Sequence, residues 1–158
     1  MKKGFALIVL FFSITCSYAQ VSTVTFNKQS FFNPTVESMG YLMSHLDTAT
    51  WNKTLLTIGF AELPANMKVN VLEYKKKIDG FSEYIGFDDS YGVFTVIWKD
   101  ESGNNSFATG LRKKLKKNAH TTPGTYRVDY KGVFVIIGIE SNKDKGINEM
   151  ITMEIERK

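Results

Sequence analysis

Five cations fall within seven residues at Leu111-Arg112-Lys113-Lys114-Leu115-Lys116-Lys117, the densest chemical feature of the chain. Phe107, Leu111 and Leu115 stand at i, i+4 and i+8, so the spacing predicts an amphipathic helix over residues 106–118 with a basic outer face. Such a face suits an acidic protein or an anionic envelope surface, whether lipid headgroup or acidic polysaccharide. The plainer reading is a solvated face whose lysine stems cover apolar neighbours. Apolar residues at three positions make too thin a stripe for membrane insertion. A second run, Lys75-Lys76-Lys77, adds to the first only if folding brings the two together. Tyr91 lies in a predicted turn rather than at an inward strand position, which makes it a candidate exposed aromatic anchor. The expected contact residues are therefore Arg112, Lys113, Lys114, Lys116, Lys117 and Tyr91.

The other reactive side chains form no recognisable set. His45 precedes Asp47 by two residues, a spacing that does not put both on one helix face. Zinc takes three or four protein ligands, and no such spacing exists, so no metal site is expected. His120, beside Thr121 and Thr122, reads as a loop residue. Asp88 and Asp89 fall between two strand patterns, where Asp forms turns by bonding to nearby amides, and no calcium-loop spacing surrounds them. The chain has no G-x-S-x-G, S-x-x-K, H-E-x-x-H or phosphate-loop motif. No catalytic residue and no cofactor are expected, and a dispersed active site would have only His45 and His120 as imidazole bases.

The N-terminus has the three parts of a cleavable secretory signal peptide: Lys2 and Lys3, an apolar run over residues 5–14, and small Ser17 and Ala19. The run is too short to cross a hydrocarbon core, which takes about 20 helical residues. Cleavage after Ala19 removes Cys16, the only cysteine, and so excludes disulfides, thiolate metal sites and cysteine nucleophiles from residues 20–158. Ser13, Ile14 and Thr15 before Cys16 match the bacterial lipobox poorly, which argues against a lipoprotein. The formal charge of +4 is halved with the leader, too little to argue for nucleic acid. Asp47-Thr48-Ala49 resembles a short O-glycosylation acceptor of Gram-negative envelopes, which agrees with export.

The elements that position these residues read as one α+β domain over residues 20–158. Alternation at residues 22–26 predicts a strand. Asn33 as N-cap and Pro34 as first residue predict a helix to about Asp47, and a second short helix covers residues 50–60 with Gly59 as its stop. A strand from Met67 shifts phase at Leu72 and Tyr74, which suggests a bulge, and ends at the Lys75-Lys77 run. Hairpins follow over residues 81–99 and 126–139, and Ile151, Met153 and Ile155 mark a final strand.

Gly92-Val93-Phe94-Thr95-Val96-Ile97-Trp98 resembles Gly132-Val133-Phe134-Val135-Ile136-Ile137-Gly138, each after a helix. A duplicated helix-plus-hairpin unit explains this, as does convergence of two buried strands entered from Gly turns. The expected architecture is a mostly antiparallel sheet with two to three helices packed on one face. These features fit an exported, non-enzymatic binding or interaction domain of the bacterial envelope or extracellular space. An inhibitor or immunity protein against an envelope toxin or hydrolase is the second reading, and a hydrolase with a dispersed site the third.

Overall fold

A computed structural model describes residues 21–156 apart from 27, 65–70, 103–105, 118, 143 and 145, with the backbone alone at 26, 71 and 119–121. The leader and Cys16 lie outside the described residues. Thr23–Phe26 (β1) and Gln29–Phe32 (β2) form a separate antiparallel hairpin. Helices Val36–Met43 (α1) and Thr48–Leu55 (α2) follow, with a 3-10 turn at Leu56–Ile58. The main sheet contains Ala61–Glu62 (β3), Val71–Ile78 (β4), Phe81–Asp88 (β5) and Val93–Asp100 (β6). After helix Thr109–Leu115 (α3) come Ala119–Thr122 (β7), Thr125–Tyr130 (β8), Val133–Asn142 (β9) and Ile147–Ile155 (β10). The eight strands are antiparallel in the order β3-β4-β5-β6-β10-β9-β8-β7. The chain is mixed α+β and mainly sheet, as its patterning predicts.

Turn chemistry builds the hairpins. Asp79-Gly80 and Lys131-Gly132 all take positive φ, the mirror-image turn whose twist matches that of its strands. The Asp129 carboxylate accepts from Gly132 N–H at 2.9 Å and holds the second of these turns. Gly59, at φ 86°, ends the 3-10 turn as the sequence predicts.

Several boundaries differ from expectation. Thr35, not Asn33, caps α1, its hydroxyl accepting from Ser38 N–H at 3.1 Å. The helix expected to reach Asp47 stops at Met43, because Asp47 caps α2 and accepts from Thr50 N–H at 2.7 Å. A short carboxylate is worth more at a helix N-terminus than at the negative end of the preceding helix. α3 is shorter than residues 106–118. β4 has neither a bulge nor an end at the lysines: its pairing with β5 is unbroken from Val71↔Asp88 to Ile78↔Phe81. Leu72, Tyr74 and Lys76 share one phase, and Lys76 is buried. The short strands β2, β3 and β7 were not legible. The two similar segments occupy inequivalent places, since β6 is central and β9 lies one strand further out.

One face of the sheet carries Tyr74, Ile85, Phe87, Phe94, Val96, Val128, Val135, Ile137, Ile151 and Met153. These share a core with Met39 and Leu42 of α1, Trp51 and Leu55 of α2, and Leu111 and Leu115 of α3. Trp51 is fully buried, its ring 5.7 Å from Tyr74 and 5.8 Å from Phe94, and its indole N–H donates to the Leu42 carbonyl. Phe31, Trp98 and Phe107 form a smaller cluster at one end, joined by Val24, Ile78 and Phe81.

α1 approaches β8 closely at Gly40, where an added Cβ would lie 2.4 Å from the Tyr130 ring. Gly40→Ala should therefore destabilise by about 1–3 kcal/mol through overpacking, although Ala gains up to about 1 kcal/mol in helix propensity. Urea unfolding checks this, and Tyr130→Leu should recover much of the loss.

Candidate binding surface

α3 begins without a side-chain cap of its own. The Glu149 carboxylate on β10 supplies one, accepting from Ala108 N–H at 2.6 Å, from the Ser106 hydroxyl at 2.6 Å and from Arg112 Nη1 at 2.5 Å. Glu149 is buried, so one of the five expected contact cations is spent on holding the helix to the sheet. With Leu111 and Leu115 in the core, Lys113, Lys114, Lys116 and Lys117 stand exposed. Among the described residues none of these four lysines forms an ion pair. The result is a cationic surface formed by α3, which two leucines and a salt bridge hold, and by the turn that follows it, and it attracts anions by charge.

Tyr91 is exposed at 70% but does not join that surface. It precedes Val93, the first residue of β6, whereas the α3 cap Glu149 pairs with Trp98 near the other end of the strand. The lysine run on β4 is also separate. Lys75 and Lys77 point away from the face that packs α3, while Lys76 points inward.

Asp88 accepts from Ser90 N–H at 2.9 Å and shapes the β5–β6 loop, as expected of a turn former. His45 is exposed, its Nδ1 2.8 Å from the Tyr41 carbonyl oxygen and its ring 4.4 Å from that of Tyr41. His120 falls in β7, opposite Tyr126, rather than in the loop expected of it, and its side chain lies outside the described residues. Among the described residues no group of three or more His, Cys, Asp or Glu is placed to hold a metal ion. No described helix is long and apolar enough to cross a membrane.

The sequence reading missed a row of buried residues. Register places Lys76 opposite Glu83, Glu83 opposite Trp98, and Trp98 opposite Glu149 on four adjacent strands. Lys76 Nζ donates to the Ser30 and Ile58 carbonyls and lies 5.0 Å from the Phe31 ring centre. Glu83 Oε2 accepts from Phe32 N–H at 3.0 Å, and Glu83 Oε1 has no hydrogen-bond partner among the described residues. Burial lifts the Glu83 carboxyl well above its usual range, against the opposing pull of Phe32 N–H and Lys76. Burial also lowers the Lys76 ammonium, countered by Glu83. The signal lay in strand phase: Lys76 continues Leu72 and Tyr74, Glu83 precedes Ile85 and Phe87, and Glu149 precedes Ile151 and Met153.

Two predictions concern these carboxylates. Glu149→Ala should cost about 2 kcal/mol or more, because it strands the buried Ala108 N–H and releases Arg112. Urea midpoints should show a smaller loss for Arg112→Ala, whose side chain is already partly in water. Glu83 titrates higher folded than unfolded, so the folded state binds more protons; its contribution is fullest at low pH and falls as pH rises toward the folded value. Glu83→Gln keeps an acceptor for Phe32 N–H and removes that titration. Its melting temperature relative to the parent should rise between about pH 5 and about pH 8, and parallel curves would refute the assignment.

The chain matches no protein-family model, no curated protein and no solved structure.

Proposed function

We propose that the protein is an exported, non-enzymatic binding domain of the bacterial envelope or extracellular space that engages an anionic partner through α3. The observation that carries this reading is the set of four exposed lysines, Lys113 and Lys114 on α3 and Lys116 and Lys117 in the turn that ends it, with the helix anchored by Leu111, Leu115 and the Arg112–Glu149 pair. The anchored backbone limits the cost of binding to the rotamer freedom of the lysine side chains themselves. The leader-like N-terminus supports export, and the absence of known catalytic motifs from the sequence supports a role in binding. In this reading all three helices lie on one face of the sheet, and a helix followed by four strands occurs twice, as α2 with β3–β6 and α3 with β7–β10. The partner is an acidic protein or an anionic envelope surface.

The test is a salt-graded capture from envelope extract on the immobilised protein, with bound proteins, lipids and glycans identified by mass spectrometry. Capture should fall as salt rises, since exposed charges are screened within about 8–10 Å at physiological ionic strength. Replacing the four lysines by Glu should abolish it. At about 1 kcal/mol per lysine near an anionic surface, neutralising them alone corresponds to about a thousandfold in affinity. A single protein partner that survives both high salt and the charge reversal would favour the inhibitor reading instead.

A further inference from the structure

The outward-phase residues of the central strands form a sheet face that belongs to neither hydrophobic core. Register sets Tyr84, Ile97 and Met150 side by side across β5, β6 and β10. The next outward row is small: Gly86, Thr95, Thr152 and Gly138. Ile97, Met150, Thr95, Thr152 and Gly138 are partly exposed, and Ile97 and Met150 belong to neither hydrophobic core. At the trough's β5 end, Tyr84 lies across Gly86 and donates to Glu73 at 2.6 Å, so the ring is held flat on the surface. A ridge therefore runs beside a trough. Across β4, β5, β6 and β10 charge is polarised along the strands, with exposed Lys75, Lys77 and Lys99 towards one end and Asp88 and Glu154 on one row towards the other; Glu140 on β9 and Arg127 on β8 lie outside this pattern.

We propose that this face is the interface of a homodimer. A two-fold axis parallel to the sheet and just outside this face, running across the strands between the two rows, turns one copy face down and exchanges its ends. The Ile97–Met150 ridge of each copy then enters the Thr95–Thr152–Gly138 trough of the other, and the lysine end of each covers the acidic end of the other. Such an isologous contact closes on itself. Six long strands at about 4.8 Å spacing and about 3.3 Å per residue present on the order of 600 Å² in projection. This approaches the roughly 800 Å² per partner of a standard interface, and the surface relief adds to it. Pairing through the sheet edges is disfavoured, because β3 has two residues and β7 carries a register shift between His120 and Thr122. α3 packs against the opposite face, so the dimer leaves its lysines free.

Sedimentation equilibrium of the purified protein tests this. Twice the chain mass is expected at micromolar concentration, with dissociation promoted by salt. Met150→Glu should raise the dimer dissociation constant at least about a hundredfold while leaving the circular dichroism spectrum intact. Lys99→Glu should weaken the dimer, and adding Glu154→Lys should restore it, which separates loss of the interface from loss of the fold. A monomer at concentrations on the order of 100 µM, or a dimer indifferent to Met150→Glu, would overturn the proposal. So would a monomer whose outer face captures a different protein. Reversing the α3 lysines should leave the mass unchanged, so this result and the α3 reading fail independently.

Discussion

Trp98 sits between two buried carboxylates, and much of the domain's closure depends on how they are satisfied. Glu83 and Glu149 flank it on the neighbouring strands, each reaching off the sheet to a main-chain N–H, that of Phe32 or of Ala108. Each captured N–H adjoins a phenylalanine that packs on the indole: the Phe31 ring centre lies 5.2 Å away and that of Phe107 3.9 Å away. A carboxylate is expensive to bury unless it is bonded, so these two glutamates fix where the covering segments must lie. Apolar packing alone leaves that position freer, because it is non-directional.

The two carboxylates are unequally served. Glu149 has three donors, one of them a guanidinium, whereas one oxygen of Glu83 has no partner among the described residues. Glu83 instead acts with Lys76 on a single strand edge. Lys76 Nζ donates to the Ser30 carbonyl and the Glu83 carboxyl accepts from the Phe32 N–H, so a donor and an acceptor satisfy the two polarities of β2 on the side away from β1. A two-stranded hairpin is marginal by itself, and an open strand edge invites wrong pairing. Here two side chains of the main sheet fill that edge, and the same ammonium holds the end of the 3-10 turn through Ile58.

The legible parts of this fold were those written in local period and turn chemistry. The hairpins over residues 81–99 and 126–139, the three helices and the last strand follow from alternation, apolar spacing and Gly turns. β2, β3 and β7 were hidden because strands of two to four residues are too short to establish a period, and their pairing is decided by tertiary contact. The Lys75-Lys77 run looked like a strand end because charge was weighed above phase; the strand passes through it and buries the middle lysine. The same bias affected the candidate surface. Spacing placed the five cations of α3 on one helix, but it could not show that Arg112 turns back to a glutamate 37 residues later.

That distinction between in-phase and out-of-phase charge also organises the two faces of the molecule. Charges in the buried phase of a strand, Lys76, Glu83 and Glu149, bond to main chain and set the internal architecture. Charges in the outward phase, such as Lys75, Lys77, Lys99 and Glu154, stand exposed, where a charge contributes little to the stability of the fold. Moving any of them by one residue would exchange the roles, because the side-chain period of a strand is two. The register fixed by the Asp79-Gly80 turn therefore governs both the burial of Lys76 and Glu83 and the display of Lys75 and Lys77.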